Sequence, residues 1–545
     1  MDITRLLERQ EQLEARRSNW ESLWSEIARR VFPRGDDFRT RRSAGEDRTD
    51  SQFDAFPMLA LNRFAAAMES GLTPRTARWH HLRTGNEALD EQPEVKRYLE
   101  ALNDILWRTR YSARSNFASQ AHEVYLSLGA FGTGCLLVEA AERGIRYKSI
   151  HLGELFIAEN SDGVVDTVHR KFEMTARQAK QEFGDKAPEK VRRAIETGKL
   201  DQCFEFLHVV MPREDYEPDR LDDQGKPFTD LYVFPDGREI VKEGGFYEMP
   251  YAVSRYVTSS REIYGRSPGS MLLPDVKMLN EMRYTTIEAA NMAVDPPMLL
   301  HDDNALSEFR MEPGARNYGG VDDEGRPTAM AFDNRSRVDI GLEMIAEVKN
   351  QIDDGFLGIY FRVLLENPKM TATQAMLIAQ QQGQMTAPMI GRQQSELLGP
   401  LIRRESGILH RAGKHPPMPR ELAEWLAAEG EALSIEYESP MTRAARSEDA
   451  VAVLRTFEAL APMAQVDPTI YRRFNTSEIA QLVAEVNGVP SKALYSDDEM
   501  AAIEEQDAEQ QALGEVLAAA PVAAETAKTL SEIQRASGNN PAVAA

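Results

Sequence analysis

Two long stretches with helical periodicity, separated by an insert rich in turn residues, constrain the fold of this chain most strongly. In the first stretch, apolar or small residues recur at steps of three and four, the spacing of one helix face: Leu272, Val276, Leu279, Met282, Thr286 and Ala290. The second stretch repeats the pattern with Val338, Leu342, Ile345, Val348, Ile352 and Phe356. The opposite faces are charged and carry Lys277, Glu281, Arg283 and Glu288, then Glu343, Glu347, Lys349 and Asp353.

The insert, residues 295–334, contains too many turn-forming residues for a continuous helix. These are Pro296-Pro297, Pro313-Gly314, Gly319-Gly320 and Glu324-Gly325. The apolar runs Met298–Leu300 and Ala329–Phe332 are typical of short strands. After the second helical stretch, Thr371 is followed three residues later by Gln374, a spacing that predicts a capping box and a new helix.

The composition is that of an ordinary globular protein, with 42% hydrophobic and 28% charged residues over 545 positions. A chain of this length can form two to four domains. No apolar run is long enough to span a membrane, and Met1–Arg5 does not resemble a signal peptide, so we expect a cytosolic protein. Cys135 and Cys203 are too few for a disulfide framework or a zinc site, and we expect both thiols to be buried and reduced.

The formal net charge of −23 argues against a protein that grips DNA by general basicity. Two interpretations remain open. An acidic surface with a few basic rings would let DNA slide, because tightly bound phosphates would resist movement. Alternatively, the acidity serves only solubility. Charge by itself does not decide between them.

The rest of the chain predicts an α+β fold that is predominantly helical. We expect helices at 2–32, 56–72, 94–110, 117–128, 175–183 and 188–197, and a polar loop at 34–48. Strands are expected at 135–138, at 146–152, 155–158 and 164–172 as a meander, and at 203–211, 231–234, 238–241 and 250–257. Thr175 with Gln178 forms a capping box, and Pro235-Asp-Gly237 marks a hairpin.

The C-terminal part predicts mainly helices. A long helical pattern runs from Ala372 to about Arg411, and Pro388 and Pro400 should kink or break it. A helix at 421–428 and a strand at 434–437 follow. Further helices are expected at 444–461, 468–474, 476–487 and 497–517, the last acidic. The alanine-rich tail from Ala518 is expected to be frayed or disordered.

The glycines of Gly129–Gly134 do not form a phosphate-binding loop. Their order is G-x-x-G-x-G between a predicted helix and a strand. A dinucleotide fingerprint is G-x-G-x-x-G between a strand and a helix, whose N-terminus meets the phosphate. The cluster therefore predicts a turn.

Gly265–Gly269 matches the letters of a nucleophile elbow around Ser267. The residue after such a serine must donate its backbone N–H to the oxyanion hole, and Pro268 has none. Ser-Pro-Gly is instead a good start for a helix.

No Walker A motif and no metal-binding motif occurs, and for the pair His80-His81 we expect a solvated or interface role. The sequence thus predicts no catalytic residue, metal or cofactor.

The order of the elements resembles the portal (head-to-tail connector) proteins of tailed bacteriophages, most closely those of short-tailed, T7-like phages. The resemblance covers most of the chain, and Met370-Thr-Ala-Thr-Gln-Ala375 is its most family-like short motif. The resemblance rests on the order of the elements, since no single motif is diagnostic. It implies a non-enzymatic subunit of a closed, twelve-fold ring at one capsid vertex, with heterologous contacts between neighbours.

The resemblance also implies a division into named parts. These are a wing (1–265), a first stem helix (266–294), a clip (295–335), a second stem helix (336–357), a tunnel loop (358–371), a long kinked helix with the remaining wing and crown (372–495), and an acidic helix with a flexible tail (496–545).

Three groups of residues are candidates for binding. Arg362, Asn367 and Lys369 lie in the tunnel loop, where rings of cations could touch DNA phosphates without reading bases; alternatively, Arg362 pairs with Glu366 or a neighbouring subunit. Lys277, Arg283 and Lys349 could face the stem lumen, although ion pairs with stem carboxylates are the favoured alternative. Phe309, Arg310, Arg316 and Arg326 give the clip a mixed surface suited to protein docking.

The function implied by the resemblance is a conduit for DNA packaging and ejection. Double-stranded DNA would pass through without sequence-specific contacts, and the terminase, the tail adaptor and the major capsid and scaffolding proteins would be the partners. The ring would assemble in the host cytoplasm and become part of the virion. It would bind no membrane. One alternative is another ring-forming head-tail joining protein, although such chains are usually shorter. A more distant one is a cytosolic hydrolase that uses Ser267.

Overall fold

The computed structural model divides the chain into two compact units. The larger contains residues 1–83, 99–418 and 430–441, and the smaller contains residues 84–98, 419–429 and 442–545. The structure describes residues 2–38, 45–46, 48–50, 52–142, 144–294, 298–300, 316, 321, 324–327, 329–331, 338–358, 389–429 and 433–438, with positions 456, 460, 479 and 500. These ranges contain both helices and antiparallel sheets, which confirms an α+β fold.

The first helix, α1 (Ile3–Val31), begins at Asp2, whose side chain accepts a hydrogen bond of 2.9 Å from the backbone N–H of Thr4. This interaction satisfies one of the amides that a helix start leaves unpaired. The apolar stripe of α1 is buried and includes Leu6, Leu13 and Trp24. The helix matches the one predicted at 2–32.

Further helices follow in the N-terminal region. They are α2 (Phe56–Leu72), α3 (Glu87–Asp90), α4 (Pro93–Arg110) and α5 (Phe117–Phe131). The last is longer than predicted, because Gly129 lies inside the helix, where its missing side chain makes room for Phe64. Gly132 then ends α5 at a φ of +81°, a conformation that glycine adopts readily. The predicted turn is therefore confirmed but is confined to Gly132, between α5 and the strand that begins at Thr133.

The larger unit contains two sizeable antiparallel sheets. The first has the order β3–β2–β9, formed by Thr133–Ala141 (β2), Gly144–Ser149 (β3) and Tyr251–Arg255 (β9). The second has the order β4–β5–β6–β7–β8, formed by Leu155–Glu159, Val165–Thr175, Cys203–Val210, Phe228–Phe234 and Glu239–Phe246. The meander predicted from 146 to 172 is wrong in one respect, since β3 pairs with β2 and not with β4.

The five-stranded sheet is covered on both faces because side chains alternate along each strand. Leu207 and Val209 of β6 pack against Leu6 of α1 on one face. On the other face, Phe206 packs against α6 (Ala176–Phe183) and α7 (Glu189–Glu196). The predicted capping box starts α6, and Pro235–Gly237 forms the predicted turn between β7 and β8.

The second half of the larger unit contains the two long helices. After α8 (Pro268–Met271) come α9 (Leu273–Val294) and α10 (Val338–Gly355). The predicted strands of the insert are present as β10 (Met298–Leu300) and β11 (Ala329–Ala331), which pair antiparallel. Strand β12 (Ser434–Tyr437) pairs with β1 (His80–Arg83).

The helix predicted to kink or break at Pro400 is not broken there, although a π-turn closely precedes the proline. Residues 389–393 are helical, Gln394–Leu398 form a π-turn, and α11 spans Gly399–Arg411. Proline is tolerated there because it lies in the first turn of α11. The smaller unit contains α3, the first residues of α4, and α12 (Arg420–Glu429).

Two side-chain predictions are wrong. Cys135 is buried in β2, where burial raises the pKa of its thiol, but Cys203 is exposed because it begins β6 at the end of the β5–β6 ladder. His80 is not solvated: it is buried in β1 beside Trp79, with 4.5 Å between the ring centroids. His81 is half-buried and lies 3.1 Å from Glu438.

Several predicted elements lie outside the described residues. They are the capping box at Thr371 and Gln374, the kink at Pro388, the helices expected at 444–461, 468–474, 476–487 and 497–517, and the alanine-rich tail. Within the described ranges, none of the helices has both the length and the apolar character needed to cross a membrane.

Candidate functional site

The pair of helices α9 and α10 is buried at one end. Leu273, Val276 and Leu279 of α9 and Ile345, Val348, Ile352 and Phe356 of α10 are almost inaccessible to solvent. Phe356 packs on Phe64 of α2, with 6.3 Å between the ring centroids. Gly355 lies so close to Leu272 that a Cβ atom there would meet its methyl groups. This end of the pair is therefore fixed to the N-terminal helices.

Away from that end, the pair exposes apolar side chains to solvent. They are Met278, Tyr284, Ile287, Met292 and Val294 on α9 and Ile340, Leu342 and Met344 on α10. Leu342 was predicted on the buried stripe, but it lies on this exposed surface. Single exposed apolar residues are common, whereas so many on two adjacent helices indicate a surface that another chain covers. Covering one of the larger side chains contributes about 1.5–3 kcal/mol.

The three stem cations predicted near a lumen all pair with carboxylates of the N-terminal region. Lys277 Nζ lies 2.5 Å from Glu26 of α1, and Lys349 Nζ lies 2.7 Å from Asp54. Arg283 Nε lies 3.9 Å from the same carboxylate of Asp54. The sequence favoured ion pairs between these cations and carboxylates of the two helices themselves. That prediction is wrong. A sequence pattern gives no signal for these partners, because hundreds of residues separate some of them.

Asp54 joins the N-terminal region to both helices of the pair. Its side chain is 8% exposed, and its second oxygen accepts a hydrogen bond of 2.9 Å from the amide of Phe56. The neighbouring amide of Phe53 donates to Asn280 Oδ1 of α9 at 2.8 Å. The ring of Phe53 also packs on Tyr284, with 4.9 Å between centroids. Residues 53–56 and Glu26 therefore hold the helix pair. We call these residues the ionic seat.

A further ion pair fixes the C-terminal end of α10. Arg63 Nη1 of α2 lies 3.0 Å from Asp353 Oδ1. Asp353 was predicted on the charged face opposite the apolar stripe, and it is 7% exposed. By contrast, Glu281, Glu343 and Glu347 are exposed and have no ion-pair partner among the described residues. The outward surface of the pair is thus acidic, while its cations face the N-terminal region.

After residues 359–388, buried ion pairs hold the helical segment 389–411, which includes α11. Arg255 of β9 donates from Nη2 to Glu396 at 2.7 Å and also contacts Glu159. Gln393 is fully buried and donates to the backbone carbonyl of Arg255 at 3.0 Å. Deeper in the unit, Arg110 pairs with Glu405.

The Arg110–Glu405 pair is part of a closed polar cluster, which we call the buried anchor. Arg110 Nε donates to Glu405 at 3.0 Å, and Tyr147 Oη donates to the same carboxylate at 2.6 Å. Both charged side chains are at most 1% exposed. Burial and the Glu405 charge raise the pKa of Tyr147 well above its ordinary value. Burial and the charge of Arg110 lower the pKa of His80, whose Nε2 lies 3.4 Å from Arg110.

The other predicted binding residues are only partly covered by the structure. Arg362, Asn367 and Lys369 lie outside the described residues, and so do Phe309 and Arg310. Arg316 is exposed, and Arg326 is exposed beside Glu324. The roles of these residues therefore stay predictions.

Ser267 acts in the fold as the sequence predicts, as a helix start. Its Oγ donates to the carbonyl of Ala130 at 2.7 Å and accepts from the amide of Ser270 at 2.8 Å. The side chain is fully buried, so a substrate has no access to it.

Among the described residues, no three His, Cys, Asp or Glu side chains are placed to hold a metal ion.

Comparisons with known proteins place these features in a family context. The family model of bacteriophage head to tail connecting proteins matches residues 4–494. The probable portal protein of Bordetella phage BPP-1 is 28% identical over 541 residues, which is 98% of this chain and 96% of the relative. The portal protein of Salmonella phage epsilon15 is 27% identical over 541 residues, covering 97% and 95% of the two chains.

Among solved structures, a chain in the neck of an empty GTA particle computed with C6 symmetry is similar over 75% of this chain and 89% of its own length. The sequence identity is 12% and the TM-score is 0.35. A similarity at this level carries no argument about the fold or function of this chain.

Proposed function

The chain belongs to the family of bacteriophage head to tail connecting proteins, and on this premise we propose that it is a portal subunit that forms a ring at one vertex of the capsid. The match over residues 4–494 carries the proposal. Two relatives that are aligned with nearly the whole chain are named portal proteins, which favours this role over another head-tail joining protein.

The exposed apolar surface of α9 and α10 supports assembly. Twelve subunits placed side by side would cover side chains such as Leu342 and Met344, which a lone subunit leaves in water. Closed rings use heterologous contacts, in which two different surfaces of each subunit meet. In this proposal α9 and α10 are the stem, the insert is the clip, residues 1–265 are the wing, and residues 358–371 are the tunnel loop.

The ion pairs of the ionic seat support a passive conduit. Lys277, Arg283 and Lys349 are drawn toward Glu26 and Asp54, whereas Glu281, Glu343 and Glu347 on the outward surface have no ion-pair partner among the described residues. If that surface lines the lumen, it repels phosphates and DNA slides along it. Sparse cations such as Arg362 and Lys369 of the tunnel loop then provide the contacts to the backbone.

The remaining parts of the proposal concern partners. The clip, with Phe309, Arg310, Arg316 and Arg326, docks first the terminase and later the tail adaptor. The major capsid and scaffolding proteins surround the ring, which assembles in the host cytoplasm and remains in the virion. The subunit performs no catalytic step, and a motor protein drives the DNA.

Native mass spectrometry with negative-stain images tests the ring. Twelve subunits of 61.3 kDa should give a particle of about 740 kDa with a central hole, as cyclic symmetry requires. A chain that remains a monomer or dimer, even with the capsid and scaffolding proteins present, would contradict the portal role.

A double substitution tests the tunnel loop. Arg362→Glu with Lys369→Glu should leave rings intact but reduce the fraction of DNA-filled particles in a complementation assay. The matched control is Arg177→Glu with Lys180→Glu, which makes the same charge change on the exposed side of α6. Normal DNA filling by the tunnel-loop variant would overturn this assignment without affecting the ring.

A further inference from the structure

The helix that leads into α11 contains a π-turn with an identifiable cause. Gln394–Leu398 form this wider turn, in which the amide of Gly399 donates to the carbonyl of Gln394, five residues earlier. In an uninterrupted α-helix, the ring of Pro400 would clash with the carbonyl of Glu396. The wider turn makes room for that ring. Such turns are frequent at functional positions in helices.

The π-turn decides which side chains lie on the same side of the helix. Gln393 and Glu405 are 12 residues apart. At about 100° per residue, a regular α-helix would place these two side chains about 120° apart. Because the π-turn takes up one extra residue, the angle falls to about 20°. Gln393 can therefore bind the backbone of β9 while Glu405 takes part in the buried anchor.

Residues 434–438, which we call the strap, contain β12 and contact the π-turn through Tyr437. The Oη atom of Tyr437 donates to the carbonyl of Gln394 at 2.9 Å, the same carbonyl that accepts the amide of Gly399. Burial raises the pKa of Tyr437 to about 12, so this phenol remains a donor at neutral pH. A Cβ atom at Gly399 would lie 3.4 Å from the same Oη, so the hydroxyl lies directly against the turn.

The other contacts of the strap are weak. It pairs with β1 over four residues, and its side-chain contacts Arg83–Glu436 and His81–Glu438 are partly exposed. Ion pairs in contact with water contribute little to stability, and a two-stranded ladder is only marginally stable by itself. The hydrogen bond of Tyr437 to the π-turn is therefore a principal attachment of the strap.

We propose that the strap and the π-turn form one conformational device, in which the docked strap holds residues 389–393 in the rotation that places Gln393 on β9. Release of the strap frees residues 389–393 from β9. The coupling acts in both directions, since two events that stabilise each other do so by the same free energy. The device thus connects the course of the chain at 434–438 to the orientation of the helix before the π-turn. It does not depend on the proposed ring.

Hydrogen exchange of the full-length chain tests the device from the side of the strap. Tyr437→Phe removes only the hydroxyl, and amides of residues 389–399 should then exchange about twofold to tenfold faster, the range expected for one hydrogen bond. Residues 404–411, which the buried anchor fixes, should not change. The matched control is Tyr284→Phe, which removes a hydroxyl that donates to Glu288 at 2.5 Å on α9. Unchanged exchange in 389–399, or the same acceleration there in the control, would overturn the proposal.

A second variant tests the coupling in the opposite direction and leaves the strap unaltered. Glu396→Gln weakens the bonds between the π-turn and Arg255, so exchange in residues 434–438 should also become faster. Glu159→Gln removes the other carboxylate on Arg255 and is the matched control, which should leave 434–438 unchanged. No change in the strap of the Glu396→Gln variant, or an equal change in both variants, would show that the strap and the π-turn are independent. Either result leaves the portal assignment standing.

Discussion

The ionic seat and the buried anchor use the same chemistry in different surroundings. In the ionic seat, Lys277 and Glu26 are 43% and 39% exposed, so water and salt compete with their attraction. In the buried anchor, Arg110 and Glu405 are at most 1% exposed, and each depends on the other for compensation of its charge. The first arrangement can be adjusted at small cost, whereas the second holds one geometry.

This difference matters because the two sites flank residues 359–388. The ionic seat positions the helix pair before that segment, and the buried anchor fixes α11 after it. The exposed Lys277–Glu26 pair before the segment should therefore respond to salt and water more than the buried pair after it. The predictions below test that contrast.

The largest effect is expected from Glu405→Gln. The substitution leaves Arg110 buried without a counter-charge, and breaking a buried pair in this way costs about 3–5 kcal/mol. Thermal unfolding should show a clear drop in Tm. The matched control is Glu189→Gln, which removes an exposed pair with Arg193 and should cost less than about 1 kcal/mol. Equal shifts for the two variants would contradict the role of the buried anchor.

A smaller effect is expected from acidification of the buried anchor. Burial and the charge of Arg110 lower the pKa of His80 well below 6.5, so the folded protein holds this imidazole neutral. The unfolded chain binds the proton first, and His80 therefore lowers stability as the pH falls below about 6.5. His80→Phe should flatten the decrease of Tm between pH 6.5 and 4. An unchanged slope would show that His80 does not contribute.

The ionic seat should respond less strongly to the loss of Asp54. Asp54→Asn removes the nearly buried charge that Lys349 and Arg283 share and leaves them without this counter-charge, at a cost of about 1–3 kcal/mol. Hydrogen exchange should become faster in α9 and α10 and remain unchanged in α11. Asp50→Asn, at a nearby exposed carboxylate, is the control. Faster exchange in all three helices would argue against a separate seat.

The smallest effect is expected from salt and from Lys277→Gln. An exposed pair contributes about 0–1 kcal/mol, and the Debye length falls from about 10 Å at 0.1 M to about 3 Å at 1 M salt. Raising the salt concentration should therefore speed exchange slightly in α9 of the native protein, and less in the Lys277→Gln variant. The buried anchor should not respond. A salt effect centred on α11 would reverse the comparison.

Local patterns predicted many of the elements correctly. The periodicity of apolar residues gave α1, α2, α4, α9 and α10 close to their observed bounds, because a helix records its buried face in the sequence. Thr175 with Gln178 and the helix start at Ser267 were also predictable, since capping depends on residues a few positions apart. The charges of the helix pair were predicted, but their partners were not.

The errors concern contacts between distant parts of the chain. The sequence predicted a solvated or interface role for His80, yet β12 pairs with its strand from more than 350 residues away and helps to bury it. It placed β3 in a meander, although the ladder with β2 excludes that order. Strand order is decided by which surfaces pack, and neighbouring residues carry little information about it.

By itself, the sequence determined helices such as α1, α2, α4, α9 and α10, the capping sites at Thr175 and Ser267, and the order of elements that resembles a portal protein, and it contains no recognisable catalytic motif. The tertiary structure alone decided where the charges of the helix pair point and which groups are buried together. Asp54 meets Lys349 and Glu405 meets Arg110 only after folding, across about 300 residues in each case. Periodicity follows from local backbone geometry, whereas the partner of a charge is set by packing over the whole chain.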